Sequence, residues 1–316
     1  MSSLPNLFLI GAMKAGTTSL ASWLGLSDAV FVPKVKEPNY YSKELRDAGI
    51  IDAIPAGMLI DLDKVLDAKS DQSIAFSYVA DEDFYHRLYA PASDKFRYRL
   101  DASTTYLNSP YAPSAIHKAH PDAKIMVVTR DPVRRAWSEF LMNVSIGVSD
   151  MNFERALERE VESVLNNRPP LLERYITTGL YEMNIGRYEA LFPSEQILRL
   201  DFDDIASDFV SVSANISSFL GIDDLPNNLG VENASRMPRF KVLNNVLHTS
   251  GLKYWLRDRT PDFLRQPLLR AFYGPTKITM PEDFVRCYKV AHDRIYMHLS
   301  TSHIWSTDSI AMRGAS

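Results

Sequence analysis

The residues best suited to chemistry stand in one short run near the N-terminus. Residues 8–20 read Phe-Leu-Ile-Gly-Ala-Met-Lys-Ala-Gly-Thr-Thr-Ser-Leu. An apolar strand end leads into a loop flanked by Gly11 and Gly16, and Thr17 opens a helical pattern. A loop of this kind turns several backbone N–H groups toward one point, and the helix N-terminus adds positive potential there. The ligand class that follows is a phosphate, met by the backbone of Ala15, Gly16, Thr17, Thr18 and Ser19 and by the ammonium of Lys14. In the loops that hold ATP or GTP, a Lys directly follows the second Gly. Here Thr17 occupies that place and the Lys stands before Gly16, at position 14.

The displaced Lys resembles the signature loop of sulfotransferases that use 3′-phosphoadenosine-5′-phosphosulfate (PAPS). Three later segments extend the resemblance, in the family's order. Lys34-Val35-Lys36-Glu37-Pro38-Asn39-Tyr40-Tyr41 is similar to the Lys-Glu-Pro-His-Phe-Phe element of the heparan-sulfate-type branch. Asp101-Ala102-Ser103-Thr104-Thr105-Tyr106-Leu107 is similar to that branch's Lys-Thr-Pro-x-Tyr segment. Val127-Val128-Thr129-Arg130-Asp131-Pro132, continuing to Ser138, resembles the strand, loop and helix that grip the 3′-phosphate. The resemblance covers roughly residues 5–240.

It implies PAPS as sulfuryl donor, adenosine 3′,5′-bisphosphate (PAP) as product, and no metal. Lys14 would stabilise charge growing on the bridging oxygen as the S–O bond breaks. Arg130 and Ser138 would hold the 3′-phosphate, for which a bidentate guanidinium is suited, and Arg239 falls where the family places a basic loop over the same group. Glu37 maps to the base that accepts the acceptor's proton. Lys36 would polarise the sulfuryl oxygens or tune Glu37. One departure stands out, since Asn39 occupies the place where the family often has His. Asp101 reads equally as a carboxylate in the acceptor site or just behind it, or as a strand-end cap. His117, His120 and His248 read as surface residues, Arg134 and Arg135 as solvated or paired, and the charged run 154–162 as a solvated helix face. A small-molecule kinase of the phosphate-loop type is the alternative enzyme, disfavoured by the absence of Lys at position 17. A nucleotide-binding non-enzyme is disfavoured because Lys14 and Glu37 are both present.

These groups need a scaffold that brings strand ends together. Apolar runs predict strands at 7–10, 29–32, 96–101, 124–129 and 197–202. Helical periodicity predicts helices at 17–24, 112–119, from 132 onward, at 151–166, 181–191 and 205–220. Residues 43–95 are acidic and aromatic and read as short helices. Strands separated by helices predict an α/β fold, a phosphate-loop-type parallel sheet flanked by helices. The C-terminal part, about 241–316, reads as mostly helical, and the 316 residues read as one domain.

Net charge is −4, which argues against general nucleic-acid binding. The single cysteine, Cys287, excludes an intrachain disulfide and reads as a packed core residue. No run of roughly 18–20 apolar residues suits a membrane span, and residues 1–6 lack the basic start of a signal peptide. The expectation is therefore a cytoplasmic enzyme acting on a small-molecule, lipid or glycan-precursor acceptor, through a hydroxyl or an amine. Residues 236–270 hold eight Lys or Arg against two Asp, a local +6. This segment reads as an acceptor lid, a membrane-surface face or a charged helix pair.

Overall fold

The computed structural model describes residues 4–44, 78–92, 94–145, 148–168, 173–229 and 278–301, with the backbone of 237–238 and 273–274. In chain order the elements are β1 (Leu7–Leu9), α1 (Thr17–Leu24), β2 (Val30–Phe31), α2 (Glu82–Tyr89), β3 (Tyr98–Asp101), α3 (Ala112–Ala119), β4 (Lys124–Thr129) and α4 (Pro132–Ser145). There follow α5 (Phe153–Leu165), α6 (Tyr181–Glu189), β5 (Ile197–Asp201), α7 (Phe202–Ser207) and α8 (Phe209–Leu220). The strands β6 (Met237–Pro238) and β7 (Tyr273–Gly274) pair antiparallel, and α9 (Glu282–Thr301) is the last described element.

The main sheet has five strands in the order β2-β3-β1-β4-β5, every neighbour parallel. Its apolar strands explain this: β1 is buried throughout, and Ile125, Met126, Val127 and Val128 of β4 are fully buried, as strands covered on both faces must be. Strand order reverses at β1. The chain runs out to the edge at β2, returns through β3, then crosses β1 to reach β4 and β5. Such a reversal opens a crevice at the carboxyl ends of the central strands. The segments leaving β1, β2, β3 and β4 all emerge on that edge, and they carry the four segments singled out in the sequence.

Local chemistry sets the helix starts that face the crevice. Asp131 accepts from the backbone N–H of Arg134 at 2.7 Å and Pro132 takes the first helical position of α4. One predicted helix is two. Residues 205–220 are interrupted at Asp208, whose side chain turns back to accept from the N–H of Ser211 and starts α8 afresh. A second apolar cluster joins α4, α5 and α9 through Trp137, Phe140, Val161, Phe284, Tyr288 and Ile295. Trp137 and Phe284 meet edge to face at 4.9 Å. Cys287 packs partly buried against the same cluster.

The charged run on α5 is not wholly solvated. Glu160 is 2% exposed and accepts from the N–H groups of Ile176 and Thr177 and the hydroxyl of Thr177, each at 2.8 Å. A helical side chain thereby serves a turn that reaches it from another part of the chain, which periodicity alone does not reveal. Burial raises its carboxyl to about 7, against the opposing effect of those three bonds. A carboxyl raised in the folded state contributes stability fully present below about pH 4.5 and lost as pH climbs through 7, a difference of roughly 3 kcal/mol. Urea midpoints measured from pH 5 to 8 should fall with rising pH, and Glu160→Gln should flatten that slope. An equally steep slope in the variant would show that Glu160 does not carry it.

Candidate active site

The glycine loop is built around two positions that only glycine fills comfortably. Gly16 has φ +82° and a Cβ there would meet the Phe202 ring at 3.1 Å. Gly11 has φ +154°, with the Leu107 side chain 2.8 Å from where its Cβ would lie. Lys14 also adopts a positive φ, 68°. Arg130 locks it there by donating from Nη1 to the Lys14 carbonyl at 2.8 Å. The Arg130 guanidinium lies 4.5 Å above the ring of Phe202, the same ring that closes on Gly16. Sequence reading gave Phe202 no part in the site; only the sheet brings it from the end of β5 to the loop.

One edge of Arg130 is thus committed to the loop, while its buried Nε has no hydrogen-bond partner among the described residues. Ser138 is half-buried on α4, the helix that begins beside Arg130. Thr17 is buried at the start of α1, with Thr18 and Ser19 partly open beside it. Burial lowers the Lys14 ammonium, Glu139 and Glu37 pull it back up, and Arg130 lowers it further. Its Nζ touches Met142 Sδ at 3.7 Å, and among the described residues no carboxylate lies within ion-pair distance. A partly buried cation so placed is costly in the empty protein and complementary to an anion.

Glu37 is 8% exposed. Its Oε1 accepts from Lys36 Nζ at 2.7 Å and its Oε2 from the Thr104 hydroxyl at 3.0 Å. Each carboxylate oxygen is thus held by one donor, which fixes the direction in which the group faces. The structure therefore brings Lys14, Lys36, Glu37 and Arg130 to one edge of the sheet. Arg239 and nearly all of the basic stretch 236–270 lie outside the described residues.

Asp101 is fully buried, and its carboxylate is enclosed by its own donors. It accepts from Tyr85 and Ser103 at 2.7 and 2.6 Å and from Tyr106 at 2.9 Å. Burial raises it to about 6, despite those three donors. Arg135 is paired, as its sequence setting suggested: it is fully buried against Glu139 and also donates to the Tyr175 carbonyl. His120 differs from the expected surface residue. It is half-buried against Phe8 and shares a hydrogen bond with the Tyr41 hydroxyl at 2.6 Å. Burial pushes its imidazole down to about 4 and holds it neutral. A shallow recess beside the Glu37 segment is lined by Asn39, Tyr40, Ser42, Lys43, Tyr78 and Val79. Among the described residues, no helix is long and apolar enough to cross a membrane.

Comparisons with known proteins bear on this geometry. The family model described as "Sulfotransferase family" matches residues 5–226. The crystal structure of a sulfotransferase from Alicyclobacillus acidocaldarius superposes with a TM-score of 0.55 at 26% identity, covering 83% of this chain and 98% of that one. Carbohydrate sulfotransferase 15 from Rattus norvegicus is 26% identical over 304 residues, covering 86% of this chain and 52% of the relative. Bifunctional heparan sulfate N-deacetylase/N-sulfotransferase 1 from Caenorhabditis elegans is 23% identical, covering 71% of this chain and 23% of the relative. The chain thus spans about half the length of the first and about a quarter of the second. The matched segment contains the glycine loop, the Glu37 segment, the Asp101 segment and Arg130, and the chain belongs to the sulfotransferase family, a family of enzymes.

Proposed function

We propose that this chain moves a sulfuryl group from PAPS to a hydroxyl or amine of a saccharide-class acceptor, with Glu37 as the base. The observation that carries the reading is the pairing of a partly buried Lys14, which has no carboxylate partner among the described residues, with a Glu37 held by Lys36 and Thr104 on the same sheet edge. The residues fit such a donor. The loop from Ala15 to Ser19 and Lys14 would hold the 5′-phosphosulfate, and the unpartnered Nε of Arg130 with Ser138 would serve the 3′-phosphate. When bound, PAPS supplies the sulfuryl group and a stable leaving nucleotide.

The rest falls to the protein. Glu37 takes the proton from the acceptor as its oxygen or nitrogen bonds to sulfur. Lys36 holds that carboxylate through Oε1 and faces the same space. Lys14 meets the negative charge that gathers on the departing phosphate oxygen. Positioning accounts for much of the remainder. The saccharide class is supported by the names of the relatives, which are carbohydrate and heparan sulfate sulfotransferases.

The test is transfer of radiolabelled sulfate from PAPS to a panel of neutral sugars, amino sugars, uronic-acid polymers, sterols and phenols. Label on a saccharide, without added magnesium, is the expected outcome. Label on phenols or sterols alone would overturn the acceptor class. No labelled product from any acceptor, with ATP consumed instead, would favour the kinase.

A further inference from the structure

Asn39 stands where the resemblance would place a histidine, and its surroundings give it a distinct job. It is 2% exposed and adopts a left-handed conformation, φ 53°, which asparagine tolerates better than most residues. Its backbone N–H, side-chain amide and side-chain oxygen are all engaged. Its backbone N–H donates to the Ser103 hydroxyl at 3.0 Å, and Ser103 in turn donates to Asp101 at 2.6 Å. Its side-chain amide donates to the Glu37 carbonyl at 3.0 Å. Its side-chain oxygen accepts from the Thr105 hydroxyl at 2.6 Å, which also shares a bond with Ser42 at 2.7 Å.

These bonds join two segments 64 to 66 residues apart. The segment after β3 also carries Thr104, which holds the Glu37 carboxylate directly. One clamp therefore fixes the Glu37 backbone and carboxylate against the same short stretch. A buried network of this kind is specific because every member is satisfied.

We infer that Asn39 is a positioning residue for Glu37, holding the base through its own side-chain amide and linking it to the buried Asp101. The inference rests on the reading of Glu37 as base. It assigns Asn39 no contact with substrate and no proton. Among the described residues, Lys36 pairs with Glu37, and Lys14, Asp101 and Tyr78 lie near enough to feel its charge. Loosening the clamp should weaken the contacts of Glu37 with Lys36 and Thr104 and leave the base out of line with the proton it takes.

Asn39→Gly keeps the left-handed backbone and the N–H to Ser103 while deleting the amide. Thr105→Val is the milder companion and deletes only the bond to the Asn39 oxygen and its share with Ser42. The expected result for Asn39→Gly is a fall in kcat of about 10- to 100-fold. The KM for PAPS and the affinity for PAP should stay within about twofold, because the phosphate loop is untouched. Thr105→Val should lower kcat by less, with the same split between kcat and nucleotide binding. Native kcat in both variants would overturn the inference, as would PAP affinity falling in step with kcat. Glu37→Gln separates the two readings. If it retains turnover, the base assignment fails. If it is inactive while Asn39→Gly and Thr105→Val behave as wild type, only the positioning role fails.

Discussion

Glu37→Gln is expected to lower turnover by about two orders of magnitude or more while PAP affinity stays within about twofold. The substitution keeps volume and leaves an oxygen to accept from Thr104, so the local hydrogen-bond geometry survives. It removes the group that takes the acceptor's proton and the negative partner of Lys36. The acid limb of the pH–rate profile, which reports protonation of the base, should vanish with it. Single-turnover measurements at saturating PAPS check this without interference from product release. Near-native turnover would hand the proton to another group, and Asp101 is poorly placed for it, because its carboxylate is enclosed by Tyr85, Tyr106 and Ser103.

Lys14→Met should have the second largest effect, and its signature combines two readouts. The side chain keeps its reach but loses the ammonium. Removing one preorganised group aimed at charge that develops in the transition state costs about 10²- to 10³-fold in kcat, and PAP affinity should fall as well. Folding stability should move the other way. Burial lowers the Lys14 ammonium, and among the described residues no carboxylate sits within ion-pair distance, so the empty protein bears the desolvation of this charge. Thermal midpoints without nucleotide should therefore be unchanged or higher in the variant. A large loss of stability would mean that Lys14 belongs to the fold, and the assignment to the departing phosphate would lose its physical basis.

Much of the sheet was legible because its signals are local. The nearly unbroken apolar run of β4 can only be a strand buried on both faces, and Asp131-Pro132 announces the start of α4 within two residues. The glycine loop announces a phosphate because its glycines sit where the backbone demands them. What the sequence hid is what distant segments do to each other. Asp101 looked as much like an acceptor-site group as a cap, until Tyr85 and Tyr106 enclosed it. His120 looked exposed, yet Phe8 and Tyr41 half-cover it. Glu160 is spaced like its solvated neighbours on α5 and becomes a buried acceptor only because residues 176–177 fold back onto it. Asn39 looked like a loss of chemistry relative to the family pattern, and its partners lie 64 to 66 residues away. Motifs reveal residue types, whereas these roles depend on which hydrogen-bond donors arrive from elsewhere.

The central claim is that the displaced Lys14, the glycine loop and Arg130 select a nucleotide bearing a 3′-phosphate rather than a triphosphate. Titration calorimetry addresses it directly, with PAP, AMP and ATP compared in the presence of a chelator and again with magnesium. PAP should bind most tightly, AMP should be weaker because it lacks the 3′-phosphate, and magnesium should change neither. Tight ATP binding that depends on magnesium, with PAP no better than AMP, would contradict it.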